Sequence, residues 1–243
     1  DIKKLMYNFQ VKNLKSIIPA LTELIKAYQN SEDTTEIQRI KNIIKDYQEK
    51  LAFEKQLNII QSDLYDKYIN KDIQDKKDRK FFVNTYYKPL DILGGDSYSI
   101  RTLGNKIYFY LLIDGMGKGV SASLTSMLLT SFINHIINRA IQKDKLISLS
   151  TLATKVLDNS AYLIIRGVVS VDFLCIDCNE HTLEYATFSM PPILLLNNKG
   201  VAQRITSNNP PLSKYHNNFN TNVISKKSLG KIILYSDGLV ENS

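Results

Sequence analysis

The stretch LLIDGMGKGVSASLTS (residues 111–126) joins strand-forming residues to a carboxylate, three alternating glycines and a helical run. No other feature constrains the fold as strongly. An apolar strand that ends on Asp114 brings a charge to the edge of a dry layer. Gly115, Gly117 and Gly119 then give up their side chains where the chain has to turn. Six of the ten glycines (94, 95, 104, 115, 117 and 119) fall in this one zone. Such clustering points to special backbone geometry rather than scattered turns.

Two further carboxylates follow a similar local grammar. Asp96 comes directly after a glycine pair, at the start of a strand in PLDILGGDSYSI, and Asp237 follows an apolar run and precedes a glycine in KIILYSDGLVE. One Asp-Gly is usually a turn. Three carboxylates at strand ends would be desolvated and would repel one another if nothing paired with them. A hard divalent cation resolves that conflict, because it takes oxygen ligands and tolerates several carboxylates at once. A pair of such ions lowers the pKa of a bridging water and neutralises a phosphate.

Nucleotide-binding loops do not fit. A P-loop needs glycine six residues before its lysine and Ser or Thr directly after it. Around Lys118 those positions hold Leu112 and Gly119. A dinucleotide fingerprint started at Gly115 would need its third glycine within "VS" (120–121).

The rest of the chain divides into a helical part and a mixed part. Residues 1–80 lack glycine, and Leu14, Ile17, Leu21, Leu24 and Tyr28 recur at helical spacing. NSEDTTE (30–36) interrupts with capping residues. Ile37, Ile40, Ile44, Tyr47 and Leu51 then form a second stripe, which slips in phase to Phe53, Leu57, Ile60 and Leu64. A helical hairpin packed on its neighbour and a dimerising, coiled-coil-like signalling helix both fit this narrow stripe. The charged run NKDIQDKKDRK (70–80) reads as helix end and linker, so residues 1–75 are expected to form a regulatory segment and 76–243 a second domain.

In that second domain, FFVNTYY, KIYFYLLI, VVSVDFLCI, LEYATFS, PILLL and KIILYS read as strands. Helices are expected over about 121–141 and 148–162. Strands, two helices and more strands predict an α+β layered domain.

Composition excludes several functions. The net charge of +7 is spread thinly, with 16 Lys+Arg against 13 Asp+Glu in residues 1–80 and 15 against 11 beyond. No basic cluster is interleaved with aromatics, so nucleic acid is not an expected partner. No unbroken apolar run reaches membrane-spanning length. The only cysteines, Cys175 and Cys178, form a single CIDC pair in a strand pattern, short of a four-ligand zinc site. They read as reduced thiols. His135, His181 and His216 are scattered. The chain starts at Asp1 without a signal pattern, which reads as a cytoplasmic piece of a longer protein whose upstream part would provide any membrane attachment.

Together, GGDSYSI, DGMGKGVSASL and YSDGLVEN, in this order and spacing, resemble the metal-dependent PPM-type (protein phosphatase 2C-like) serine/threonine phosphatases, in their bacterial SpoIIE/RsbU branch. The resemblance covers about residues 50–243, including the lead-in AFEKQLNIIQSDL (52–64). It implies an α-β-β-α sandwich, two antiparallel sheets flanked by helices, with two Mn2+ or Mg2+ ions between the sheets. A metal-activated water would hydrolyse phosphoserine or phosphothreonine. By position, Asp96 and Asp114 would be catalytic ligands, with Asp114 bridging the ions. The Gly115 carbonyl and Asp237 would complete what this chain supplies.

The implied substrate is a phosphorylated STAS-domain protein. The implied regulation is homodimerisation through the N-terminal helices and movement of the helices at 121–141 and 148–162. Three departures stand out. Met190 in FSMPPIL replaces the histidine of A-G-H-P-P, Ser99 replaces an aspartate, and the family's last acidic motif would lie past Ser243. Weak or absent metal occupancy is therefore expected of residues 1–243 alone. The rival reading is a non-catalytic dimerising signalling module with the same fold.

Overall fold

The structure is a computed structural model of the 243-residue chain. It describes Pro19, Thr22, Lys26 and residues 34–73, 83–89, 92–104, 106–117, 119–165, 167–197, 199–215, 218–225 and 229–240. The first apolar stripe (Leu14, Ile17, Leu21, Leu24, Tyr28), Lys118 and His216 lie outside the described residues. The chain separates into two compact units, residues 1–60 and 61–243. A long helix, α1 (Thr34–Ile73), starts within the capping stretch predicted from sequence.

In the second unit the elements follow as β1 (Asp96–Gly104), β2 (Ile107–Gly115), α2 (Val120–Gln142), α3 (Leu149–Asp158), α4 (Ser160–Leu163), β3 (Val169–Asp177), β4 (Thr182–Phe188), β5 (Ile193–Asn197), β6 (Ala202–Ile205), β7 (Asn222–Ser225) and β8 (Leu229–Ile233). The strands build a five-stranded sheet in the order β1-β2-β3-β4-β7 and a three-stranded sheet in the order β6-β5-β8. All named pairings are antiparallel.

Side-chain alternation explains the layering. From β2 and β3, Phe109, Leu111, Ile113, Val171 and Phe173 enter one core with Leu129, Ile133 and Ile137 of α2 and Leu152 and Val156 of α3. The intervening residues face the other way. Leu174, Ile176, Leu183 and Tyr185 form a second core with Ile193 and Leu195 of the small sheet. Strands buried on both faces read as near-continuous apolar runs, which is how they stood out in the sequence. This period of two places Cys175 against the helix-side core and Cys178 against the inter-sheet core, so the thiols point apart.

The contact between α2 and β1 is polar. Ser97 and Thr130 share a hydroxyl hydrogen bond of 2.5 Å, and Ser99 Oγ donates to Asn134 Oδ1 at 2.9 Å. Arg101 donates through Nη1 to Asn134 Oδ1 and through Nη2 to Asn138 Oδ1 at 2.6 Å. Thr130, Asn134 and Asn138 recur every fourth residue and so form one stripe of the helix. α2 is long and apolar enough to cross a membrane by length and composition only, and more than half of its most apolar stretch is buried in the fold. Here its buried residues serve the core and this seam, while Leu128 and His135 lie exposed.

Two sequence expectations change. Residues 83–89 of FFVNTYY and its continuation run without regular structure. Tyr86 is 87% exposed, while Tyr87 packs its ring on Tyr98 at 5.8 Å, so these aromatics serve a loop rather than a ladder. The expected helix over 148–162 breaks at Asn159 into α3 and α4.

The rings of Phe109, Phe173 and Phe188 contact in series at 6.3 and 5.9 Å, the second edge to face. Phe173→Ala is expected to destabilise the fold by about 3–5 kcal/mol, read as a lower midpoint in urea denaturation with the native sheet signal retained below it.

Candidate metal centre

The β1–β2 ladder begins with Asp96 directly opposite Asp114. Both side chains lie on the inter-sheet face. Their strand neighbours Ser97 and Ile113 face the helices instead, Ser97 towards Thr130 and Ile113 in the helix-side core. The ladder thus holds two half-buried carboxylates against each other.

Glycine makes this close approach feasible. The Gly115 amide donates to the Gly95 carbonyl at 3.1 Å. A Cβ on Gly95 would stand 2.9 Å from the Gly115 carbonyl oxygen, and one on Gly115 would stand 2.9 Å from the Ala122 carbonyl oxygen. Any larger residue at either position would push the two aspartate-bearing segments, or the first turn of α2, apart.

The loop before Asp96 is clamped from two sides. The Gly94 carbonyl accepts from Gln61 Nε2 at 2.9 Å and from Ser123 Oγ of α2 at 2.8 Å. Gln61 Oε1 accepts in return from the Gly94 amide. Sequence reading passed over Gln61. Its signal was a polar residue that is buried within the lead-in helix.

Asp237 arrives from far along the chain. It is not the last residue of a strand. β8 ends at Ile233, and Asp237 opens a short 3-10 turn, Asp237–Leu239, at an exposed position. The preceding Ser236 donates to Asp96 Oδ2 at 2.7 Å, which ties this turn to β1.

Burial raises the pKa of Asp96, as does Asp237, while the Ser236 hydrogen bond pulls it back. Asp114 is pushed up to about 7, first by burial and then by Asp96 and Asp237. The neighbouring groups that shift Asp114 are the carboxyls of Asp96 and Asp237, and both raise it. The structure therefore brings Asp96, Asp114 and Asp237 into one electrostatic neighbourhood, with the Gly115 carbonyl on the adjoining Gly95.

Among the described residues no three His, Cys, Asp or Glu side chains close into a ready-made cage. The arrangement is two facing carboxylates with a third at the rim. This is an all-oxygen, mutually repelling donor set that fits a hard divalent cation. Asp172 was also missed in the sequence. It is the one charge inside the apolar run VVSVDFLCI, and it is fully buried on β3.

The departures from the family pattern also find their places. Ser99 faces α2, bound to Asn134, and not Asp96. Met190 is buried, and Ser189 before it holds a left-handed φ of 52° with its amide bound to Ser207 Oγ.

The family model described as Stage II sporulation protein E (SpoIIE) matches residues 105–243, more than half of the chain. The chain belongs to the SpoIIE family. Phosphoserine phosphatase RsbP of Bacillus subtilis (strain 168) is 23% identical over 166 residues, 65% of this chain and 40% of RsbP. The SiaA-PP2C domain of Pseudomonas aeruginosa superposes with a TM-score of 0.57 at 16% identity, covering 74% of this chain and 68% of that one. The PP2C phosphatase domain of SpoIIE from Bacillus subtilis, solved with a fragment of its regulatory domain, gives 0.51 at 19% identity over 61% of this chain and 43% of that one. The fold of this SpoIIE-family chain is thus the PP2C phosphatase fold. The chain spans about two fifths of the length of RsbP and of that SpoIIE chain.

A carboxyl whose pKa is raised by folding adds stability at low pH that is lost as pH rises through the folded value. With Asp114 at about 7, the metal-free protein is expected to be less stable near pH 8 than near pH 5.5. Asp114→Asn should flatten that slope in urea denaturation performed with chelator. An unchanged slope would remove Asp114 as its source.

Proposed function

We propose that this chain is the catalytic part of a divalent-metal-dependent protein serine/threonine phosphatase of bacterial signalling. The observation that carries the proposal is the Asp96–Asp114 register pair with Asp237 acting on both. Membership of the SpoIIE family and the likeness to a phosphoserine phosphatase support it.

Asp96, Asp114 and Asp237, with the Gly115 carbonyl, would hold Mn2+ or Mg2+, Asp114 as the bridging ligand. The metals, when bound, supply an activated water and neutralise the phosphate. The residues of this chain do the positioning. The ladder fixes Asp96 against Asp114. Ser236 donates to Asp96 Oδ2 and so orients that carboxylate. Gln61 and Ser123 hold the Gly94 carbonyl and with it the approach to Asp96.

The substrate proposed is a phosphoserine or phosphothreonine on a partner protein, with a STAS-domain protein as the specific candidate from the family resemblance. Homodimerisation through the N-terminal helices and a cytoplasmic setting belong to the same proposal. The non-catalytic reading drew on Ser99 and Met190. The Ser99 hydroxyl is engaged on the helix face, which removes half of its motive.

Asp114→Asn in the complete protein is expected to lower Mn2+-dependent phosphate release from a phosphoserine peptide at least about 100-fold while the circular dichroism spectrum stays native. Turnover near the wild-type rate would refute the role given to Asp114. Chelator should abolish the wild-type activity, and added Mn2+ should restore it.

A further inference from the structure

Asp172 occupies the inter-sheet face of β3, with Leu112 opposite on β2 and Thr187 opposite on β4. Its side chain is completely inaccessible, and neither carboxylate oxygen has a hydrogen-bond partner. Deeper between the sheets lies the apolar cluster of Leu174, Ile176, Leu183, Ile193 and Leu195. On the flank, the Thr187 hydroxyl donates to Ser207. In the other direction the next row of the same face is Asp96, Asp114 and Ser170, paired in that order across β1, β2 and β3. Asp172 is therefore the diagonal neighbour of Asp114. Such neighbours stand about 7–8 Å apart between backbones, a span that one cation, or a cation and one of its waters, bridges.

We propose that Asp172 is a fourth carboxylate of the cation centre, reaching it from the buried side of the sheet while Asp237 closes the rim. The assignment rests on the phosphatase reading above and extends its donor set. A carboxylate sealed against apolar neighbours is costly unless something compensates it. It stands one row behind Asp96 and Asp114 on the same face of the sheet. Burial pushes the Asp172 carboxyl up to about 7, against the lowering influence of Thr187.

A merely structural Asp172 and a cation-binding Asp172 make opposite demands on two measurements. Wild type, Asp172→Leu, Asp172→Asn and Asp114→Asn forms of the complete protein would be titrated with Mn2+ in a calorimeter and unfolded in urea without metal. Asp172→Leu is expected to raise the metal-free unfolding midpoint, since the unpaired charge is gone. It is also expected to weaken Mn2+ binding by about 10–100-fold. Should the leucine protein fail to fold, Asp172→Asn keeps the shape and is expected to lose affinity in the same direction.

Mn2+ affinity that Asp114→Asn removes and Asp172→Asn leaves unchanged would overturn this proposal and leave the metal centre standing. A wild-type protein that takes up no Mn2+ would overturn both.

Discussion

Two like charges locked face to face are the constraint on which this structure turns. The β1–β2 register sets Asp96 opposite Asp114, and nothing in the ladder lets either side chain escape to the helix face without a one-residue slip. A slip of that kind would carry Phe109, Leu111 and Ile113 out of the core. Hydrophobic packing on one side of the sheet therefore enforces electrostatic repulsion on the other.

The supporting elements serve that geometry. The contact of Gly95 with Gly115 allows the two strands to meet at the site, and Ser123 and Gln61 brace the preceding loop. The polar seam of Ser97, Ser99 and Arg101 against Thr130, Asn134 and Asn138 couples the β1 strand to α2 through directional bonds rather than apolar contact. A hydrogen-bonded seam defines one register for the helix along the strand more sharply than a greasy one would. Asp96 and the seam residues alternate on one strand, so α2 and the acidic centre sit on opposite faces of the same few residues.

Much of this was legible in the sequence. Doubly buried strands announce themselves as apolar runs, and the glycine cluster with its three aspartates marks the candidate site, because both signals are local. The pairing of Asp96 with Asp114, and the arrival of Asp237 over a separation of more than a hundred residues, depend on register and topology that no local pattern encodes. The VNTYY part of FFVNTYY (83–87) misled because aromatic and β-branched residues read as strand, whereas Tyr87 is used to pack on Tyr98 beside the glycine pair. Ser99 looked like a lost site residue, and only the alternation of β1 reveals that it faces the helix. Gln61 and Asp172 were passed over for a related reason: a buried polar group is conspicuous only once burial is known.

The most direct measurement is anomalous diffraction from crystals of the complete protein grown with Mn2+. The account requires a manganese peak between Asp96 and Asp114, within about 2.0–2.3 Å of a carboxylate oxygen of each, with Asp237 or its bound water on the same ion or its neighbour. Full manganese occupancy elsewhere, with Asp96 and Asp114 neutralised by a lysine or arginine instead, would contradict it.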